Sequence, residues 1–188
     1  MVQSFEATLV RQCALTLAGM KPGSLFCFAH ADLSSIRRLA AQWDTRLRPL
    51  GLSVRVLLER QNAGSALIYV WRPSQLQQLL SLPESQDFLD RTGYQTGDAD
   101  SLLNQLAQRL SSQEEFPHEI GLFLGYPLED VIGFMEHRGQ NFTCCGLWKS
   151  YGNPEAMKQC FACYRTCIDT YVRLYEQGTS IEALAVPA

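Results

Sequence analysis

Ser53-Val54-Arg55-Val56-Leu57-Leu58-Glu59-Arg60-Gln61-Asn62-Ala63-Gly64-Ser65-Ala66-Leu67-Ile68-Tyr69-Val70-Trp71 is the stretch on which the fold turns. Val54, Val56 and Leu58 alternate with Ser53, Arg55 and Glu59, the pattern of a strand with one buried face. Asn62-Ala63-Gly64 supplies turn residues, and 66–71 is an apolar, β-branched and aromatic return strand. A hairpin of this kind needs further elements to cover its apolar face.

The flanking segments supply them. Upstream, Phe5, Leu9, Cys13 and Leu17 recur every four residues, one stripe of a helix over 4–18 that stops at Gly19. Residues 25–29 form a short apolar run suited to a buried strand. Asp32 caps the next helix, whose inner face is Leu33, Ile36, Leu39, Trp43 and Leu47, and Pro49 and Gly51 close it. Downstream, Pro73 opens a helix with Leu76, Leu79 and Leu80 inward, and Pro83 breaks it. Residues 84–97 are rich in polar turn formers and read as a surface excursion. Asp98 or Asp100 then caps a helix bearing Leu102, Leu103, Leu106 and Leu110. Pro117, Glu119 and Gly125 bracket a short helix, and Pro127, Glu129 and Asp130 start another that runs to Gly139. Residues 142–148 read as the last strand, and Asn153-Pro154-Glu155 begins a long final helix ending at Gly178.

Strand, helix and hairpin in this order predict an α/β fold of the α+β type. Its small, mostly antiparallel sheet has a split βαβ-like core covered by several helices. The 188 residues suit a single domain spanning 1–188.

Composition narrows the function classes. Hydrophobic residues make up 46% and charged ones 19%, enough apolar surface for a core without staples. A net charge of −3 argues against nucleic-acid partners, and Arg37, Arg38, Arg46 and Arg48 read as the solvated face of one helix. Glu6 and Arg11 interrupt the N-terminal apolar stretch, which does not read as a signal peptide, and no apolar run reaches membrane-spanning length. The seven cysteines, an odd number, then read as reduced thiols in a cytosol.

Three groups of residues could carry chemistry. The first is Cys160, Cys163 and Cys167 near Cys144-Cys145, a set that could in principle hold zinc or an iron–sulfur cluster. On a helical wheel the three fall within the apolar arc that holds Met157, Phe161, Tyr164, Ile168 and Tyr171. The expectation is therefore buried structural thiols, with no metal site and no cofactor. The second is Cys145, which lies on the opposite strand face from Cys144 and precedes Gly146. A nucleophilic thiol needs a base or a cation, for which His118, His137 and Lys149 are available. The third is His118-Glu119, an acid–base pair if placed beside a cleft; Leu122 stands where a zinc-protease helix would have its second histidine. Gly125-Tyr126-Pro127 before a helix is unsuited to phosphate, because Glu129 and Asp130 in its first turn would repel an anion. With Glu136 they also make that helix a poor DNA-reading face.

His118-Glu119-Ile120-Gly121-Leu122-Phe123-Leu124-Gly125-Tyr126-Pro127-Leu128-Glu129-Asp130-Val131 resembles an uncharacterised bacterial family catalogued as a domain of unknown function. Leu17-Ala18-Gly19-Met20-Lys21-Pro22 and Cys145-Gly146-Leu147-Trp148-Lys149 extend the resemblance over nearly the whole chain. Leu15 after Cys13-Ala14, where the family pattern has proline, and Cys160 and Cys163 depart from it. The resemblance implies a small bacterial cytoplasmic protein and supplies no activity, cofactor or catalytic residue. Three readings of function follow from the residues, the third and weakest being metal or iron–sulfur binding by Cys160, Cys163 and Cys167. The first is non-enzymatic binding of a small molecule or protein through 118–130, with His118, Glu119, Tyr126, Glu129 and Asp130 as ligand-binding candidates. The second is a thiol-dependent enzyme using Cys145, His118 and Glu119.

Overall fold

The computed structural model describes residues 4–112 and 115–187. In chain order the elements are α1 (Phe5–Leu17), β1 (Gly23–Ala29), α2 (Leu33–Leu47), β2 (Ser53–Arg60), β3 (Ser65–Trp71), α3 (Pro73–Leu80) and α4 (Pro83–Arg91). There follow α5 (Ala99–Ser112), α6 (Ile120–Phe123), α7 (Leu128–Glu136), β4 (Cys144–Cys145), β5 (Lys149–Ser150), α8 (Pro154–Glu176) and α9 (Ile181–Leu184). The chain divides into two compact units, one made of the residues up to Gln77 with those from Cys167 onward, the other of Gln78–Thr166.

In the first unit the strands order β1-β3-β2, with β3 antiparallel to both neighbours. β1 and β2 therefore run the same way with α2 connecting them, which is the split βαβ arrangement expected. Phe26 and Phe28 of β1, Ala66, Ile68 and Val70 of β3, and Val54 of β2 point into one core. α1 contributes Phe5, Leu9, Cys13 and Leu17, and α2 contributes Ile36, Ala40, Trp43 and Leu47. Ser4 and Asp32 cap these helices by accepting from Ala7 and Ser34 backbone amides. Leu67, Tyr69 and Trp71 are buried on the other face of β3, so the central strand is buried throughout.

The expected alternation along β2 fails at one place. Val54 and Val56 oppose Val70 and Ile68, but the register slips between Val56 and Leu58, and Leu58 then opposes Leu67. Leu57 is the bulged residue and is buried, whereas Leu58 moves to the opposite face from Val54 and Val56. Three further expectations are corrected. Pro83 opens α4 instead of merely ending α3, because proline is well suited to a first helical position and Phe88 and Leu89 give the helix a buried side. The excursion over 84–97 shrinks accordingly. Residues 142–148 are not one strand: β4 and β5 pair antiparallel, and the Gly146 amide donates to the Trp148 carbonyl across the turn. Finally, Cys163 of α8 is exposed and Cys160 and Cys167 are only half-buried. Phe161 is the one buried residue of α8 among those described, and Cys163 lies at the edge of the apolar arc, where the helix meets solvent.

One buried cation closes the first unit. Arg72 follows β3 directly and is 1% exposed. Its guanidinium donates to the Thr16 and Leu17 carbonyls at the end of α1, both at 2.7 Å, and to the Val186 carbonyl at 2.7 Å. It thus supplies donors that the last turn of a helix otherwise lacks. We expect Arg72→Met to lower stability by about 3 kcal/mol, since buried carbonyls would lose their donors. Gln75→Ala, which removes a 3.2 Å bond to the Gly19 carbonyl, should cost less than about 1 kcal/mol. Urea unfolding of the two variants tests the ranking.

Candidate functional site

The second unit contains the segment over 118–130 singled out from the sequence. α6 ends in a Schellman-type turn, in which the Tyr126 amide donates to Gly121 and the Gly125 amide to Leu122. Gly125 takes the left-handed conformation this needs, at φ 70°. Pro127 then starts α7, which doubles back. The two short helices touch through Gly121, where a Cβ would lie 2.9 Å from the Val131 side chain.

Between α6, α7 and the β4–β5 hairpin lies a cavity of about 370 Å³. Ile120, Leu124, Val131 and Phe134 form its apolar wall. Tyr126 and Trp148 line another side, stacked on each other at 4.5 Å with 19° between their planes. Phe161 meets the Trp148 ring edge-on at 4.6 Å. Burial pushes the Tyr126 phenol above its ordinary value, so this side is uncharged at neutral pH. Two basic side chains line the same space: His118, whose ring is 4.8 Å from that of Phe134, and Lys149.

Asp130 also borders the cavity, but its acceptors are occupied. It is 2% exposed. One carboxylate oxygen accepts from the Ser150 hydroxyl at 3.0 Å and the Tyr151 and Gly152 amides at 2.7 and 3.3 Å. The other accepts from the Trp148 indole at 2.7 Å. A buried carboxylate is tolerable only with such donors. Its role here is to tie α7 to the hairpin and orient Trp148.

The other candidates are placed as follows. Glu119 is buried on a separate network, accepting from the Tyr94 hydroxyl at 3.2 Å and Arg109 at 3.0 Å. Arg109 in turn lies 4.0 Å over the Tyr94 ring. Burial and the Glu119 charge push the Tyr94 phenol up. Glu129 is exposed and packs against Gly152. Cys144 is buried and Cys145 exposed, on opposite sides of β4 as strand alternation requires. Cys145 is not among the residues that line the cavity with His118. Among the described residues no three His, Cys, Asp or Glu side chains are grouped so as to hold a metal ion. The structure thus brings His118, Tyr126 and Asp130 together and leaves Glu119, Glu129 and Cys145 elsewhere. Sequence reasoning missed Trp148 and Phe134 as cavity residues and had Lys149 only as a cation for Cys145; the cluster of aromatic residues from Phe116 to Tyr151 was the available signal for the first two.

The second unit is thus defined by a small, mostly apolar cavity in an α+β protein, and none of the described helices is long and apolar enough to cross a membrane. The chain belongs to the family described as "Protein of unknown function (DUF3793)", whose model matches residues 9–185. Neither a curated protein nor a solved structure matches the chain.

Two outcomes are expected at this level. Asp130→Asn presents an amide N–H₂ group where a donor already points, so it should cost about 2 kcal/mol and weaken the near-ultraviolet circular dichroism of Trp148. A variant as stable as the parent would contradict the tie described above. In native-state alkylation followed by mass spectrometry, Cys163, Cys145 and Cys27 should react first, since all three are exposed. Cys13 is fully buried, and burial pushes its thiol far up, so it should react only on unfolding.

Proposed function

We propose that this protein binds a small, largely apolar molecule in the cavity between α6, α7 and the β4–β5 hairpin. The observation that carries the reading is the cavity itself, about 370 Å³ with the Tyr126–Trp148 stack along one side. Ligand sites are typically concave, of roughly 300–1,000 Å³, mostly apolar, and furnished with a few polar groups. His118 and Lys149 are those groups here. A thiol mechanism through Cys145 draws no comparable support, because the residue lies off this cavity.

The uncharged dye Nile red tests the reading. It should bind the wild-type protein at one site with enhanced emission. Leu124→Trp, which fills the cavity from its half-buried wall, should remove that binding while the far-ultraviolet circular dichroism is retained. Absence of dye binding to the wild type, or equal binding to the filled variant, would sink the proposal.

A further inference from the structure

Resting on that reading, we infer that the ligand is a small monoanion with an apolar body, whose acid group is received by Lys149 and His118. The argument begins with charge. Lys149 is half-buried at the cavity, and its ammonium donates to the Gly139 carbonyl at 2.7 Å. Beyond that bond it faces the rings of Phe142 at 5.1 Å and Phe134 at 5.9 Å. An ammonium carries three donors. No carboxylate among the described residues pairs with this one.

Aromatic faces offset part of the cost of a cation held away from water, and an anion offsets it better. The nearest acidic candidate on the cavity wall cannot serve, because Asp130 already accepts from four donors. Asp130 is also 2% exposed and turned toward the hairpin, so a cationic ligand has little access to it. His118 lines the same cavity and adds a second polar side chain to it. The apolar body is called for by Ile120, Leu124, Val131 and Phe134, which line the cavity beside the Tyr126 and Trp148 rings.

The backbone under Lys149 points the same way. Its carbonyl partner, Gly139, is left-handed at φ 71°, and so are the non-glycine residues Arg138 at 51° and Asn141 at 56°. Arg138 and Gly139 close the C-terminal turn of α7, in which the Gly139 amide donates to the Phe134 carbonyl and the Arg138 amide to the Met135 carbonyl. That turn presents the Gly139 carbonyl to Lys149, whose ammonium it keeps beside the cavity.

The test compares three probes of one shape, naphthylacetate, its uncharged amide, and naphthylethylamine, by ligand-observed nuclear magnetic resonance titration of the full chain. The acid should bind at least about tenfold more tightly than the amide, with the amine weakest. Lys149→Met should bring the acid to the affinity of the amide, and Lys149→Arg should keep the preference. Equal binding of acid and amide by the wild type, or tightest binding of the amine, overturns the anion assignment while Nile red binding upholds the cavity. Failure of all three probes together with Nile red overturns both. The wild-type comparison decides the matter even if the methionine variant does not fold.

Discussion

The carboxylate of Asp130 is the constraint on which the second unit's architecture depends. A buried charge must be met by donors, and four converge on it from the β5 strand and its neighbours. This fixes the Trp148 indole by its N–H, leaving one face for Tyr126 and meeting Phe161 edge-on. The aromatic side of the cavity is therefore oriented by a polar bond between two of its own lining residues. Arg72 has the corresponding place in the first unit, where one cation satisfies carbonyls from two distant stretches of chain. In both units a buried ion, rather than apolar packing alone, selects one arrangement.

Much of the fold was legible because local chemistry and burial agree there. The α1 stripe of Phe5, Leu9, Cys13 and Leu17, the Asp32 cap and the Leu102, Leu103, Leu106 and Leu110 face of α5 stand as the residue patterns indicate. The split βαβ order also follows, since a helix joining two parallel strands leaves the hairpin's second strand to pair between them. What could not be read depended on tertiary contact. The bulge at Leu57 has no signal in a run of apolar residues, where either of two adjacent leucines could face inward. Pro83 carries the same sign whether it stops one helix or starts the next. The exposure of Cys163 depends on how wide a strip of α8 is covered, which periodicity does not report.

The candidate site shows a sharper version of that limit. Glu119 and Asp130 stood out as carboxylates in a segment dense in glycine, proline and aromatic residues, the usual marks of chemistry. Both are internal ties, one to Arg109 and Tyr94 and the other to the hairpin. The residues left facing the cavity with unspent polarity are basic, His118 and Lys149, in a chain whose net charge is negative. Local charge at a site need not follow the charge of the whole. The resemblance read from the sequence and the family match agree on membership, and neither bears on which ligand these groups meet.

The discontinuity of the first unit has a consequence for biosynthesis. Its sheet, α1 and α2 are complete by Trp71, yet α9 and the Val186 carbonyl that Arg72 binds lie beyond all of the second unit's residues. A ribosome must therefore release the whole of Gln78–Thr166 before the first unit can acquire its last core residues, Ile181 and Leu184. The second unit has no such wait, being one continuous stretch. Against the common order in which the N-terminal part of a chain folds first, the later segment here can mature ahead of the earlier one. For that interval the part of α1 that α9 later covers is open to chaperones and to aggregation.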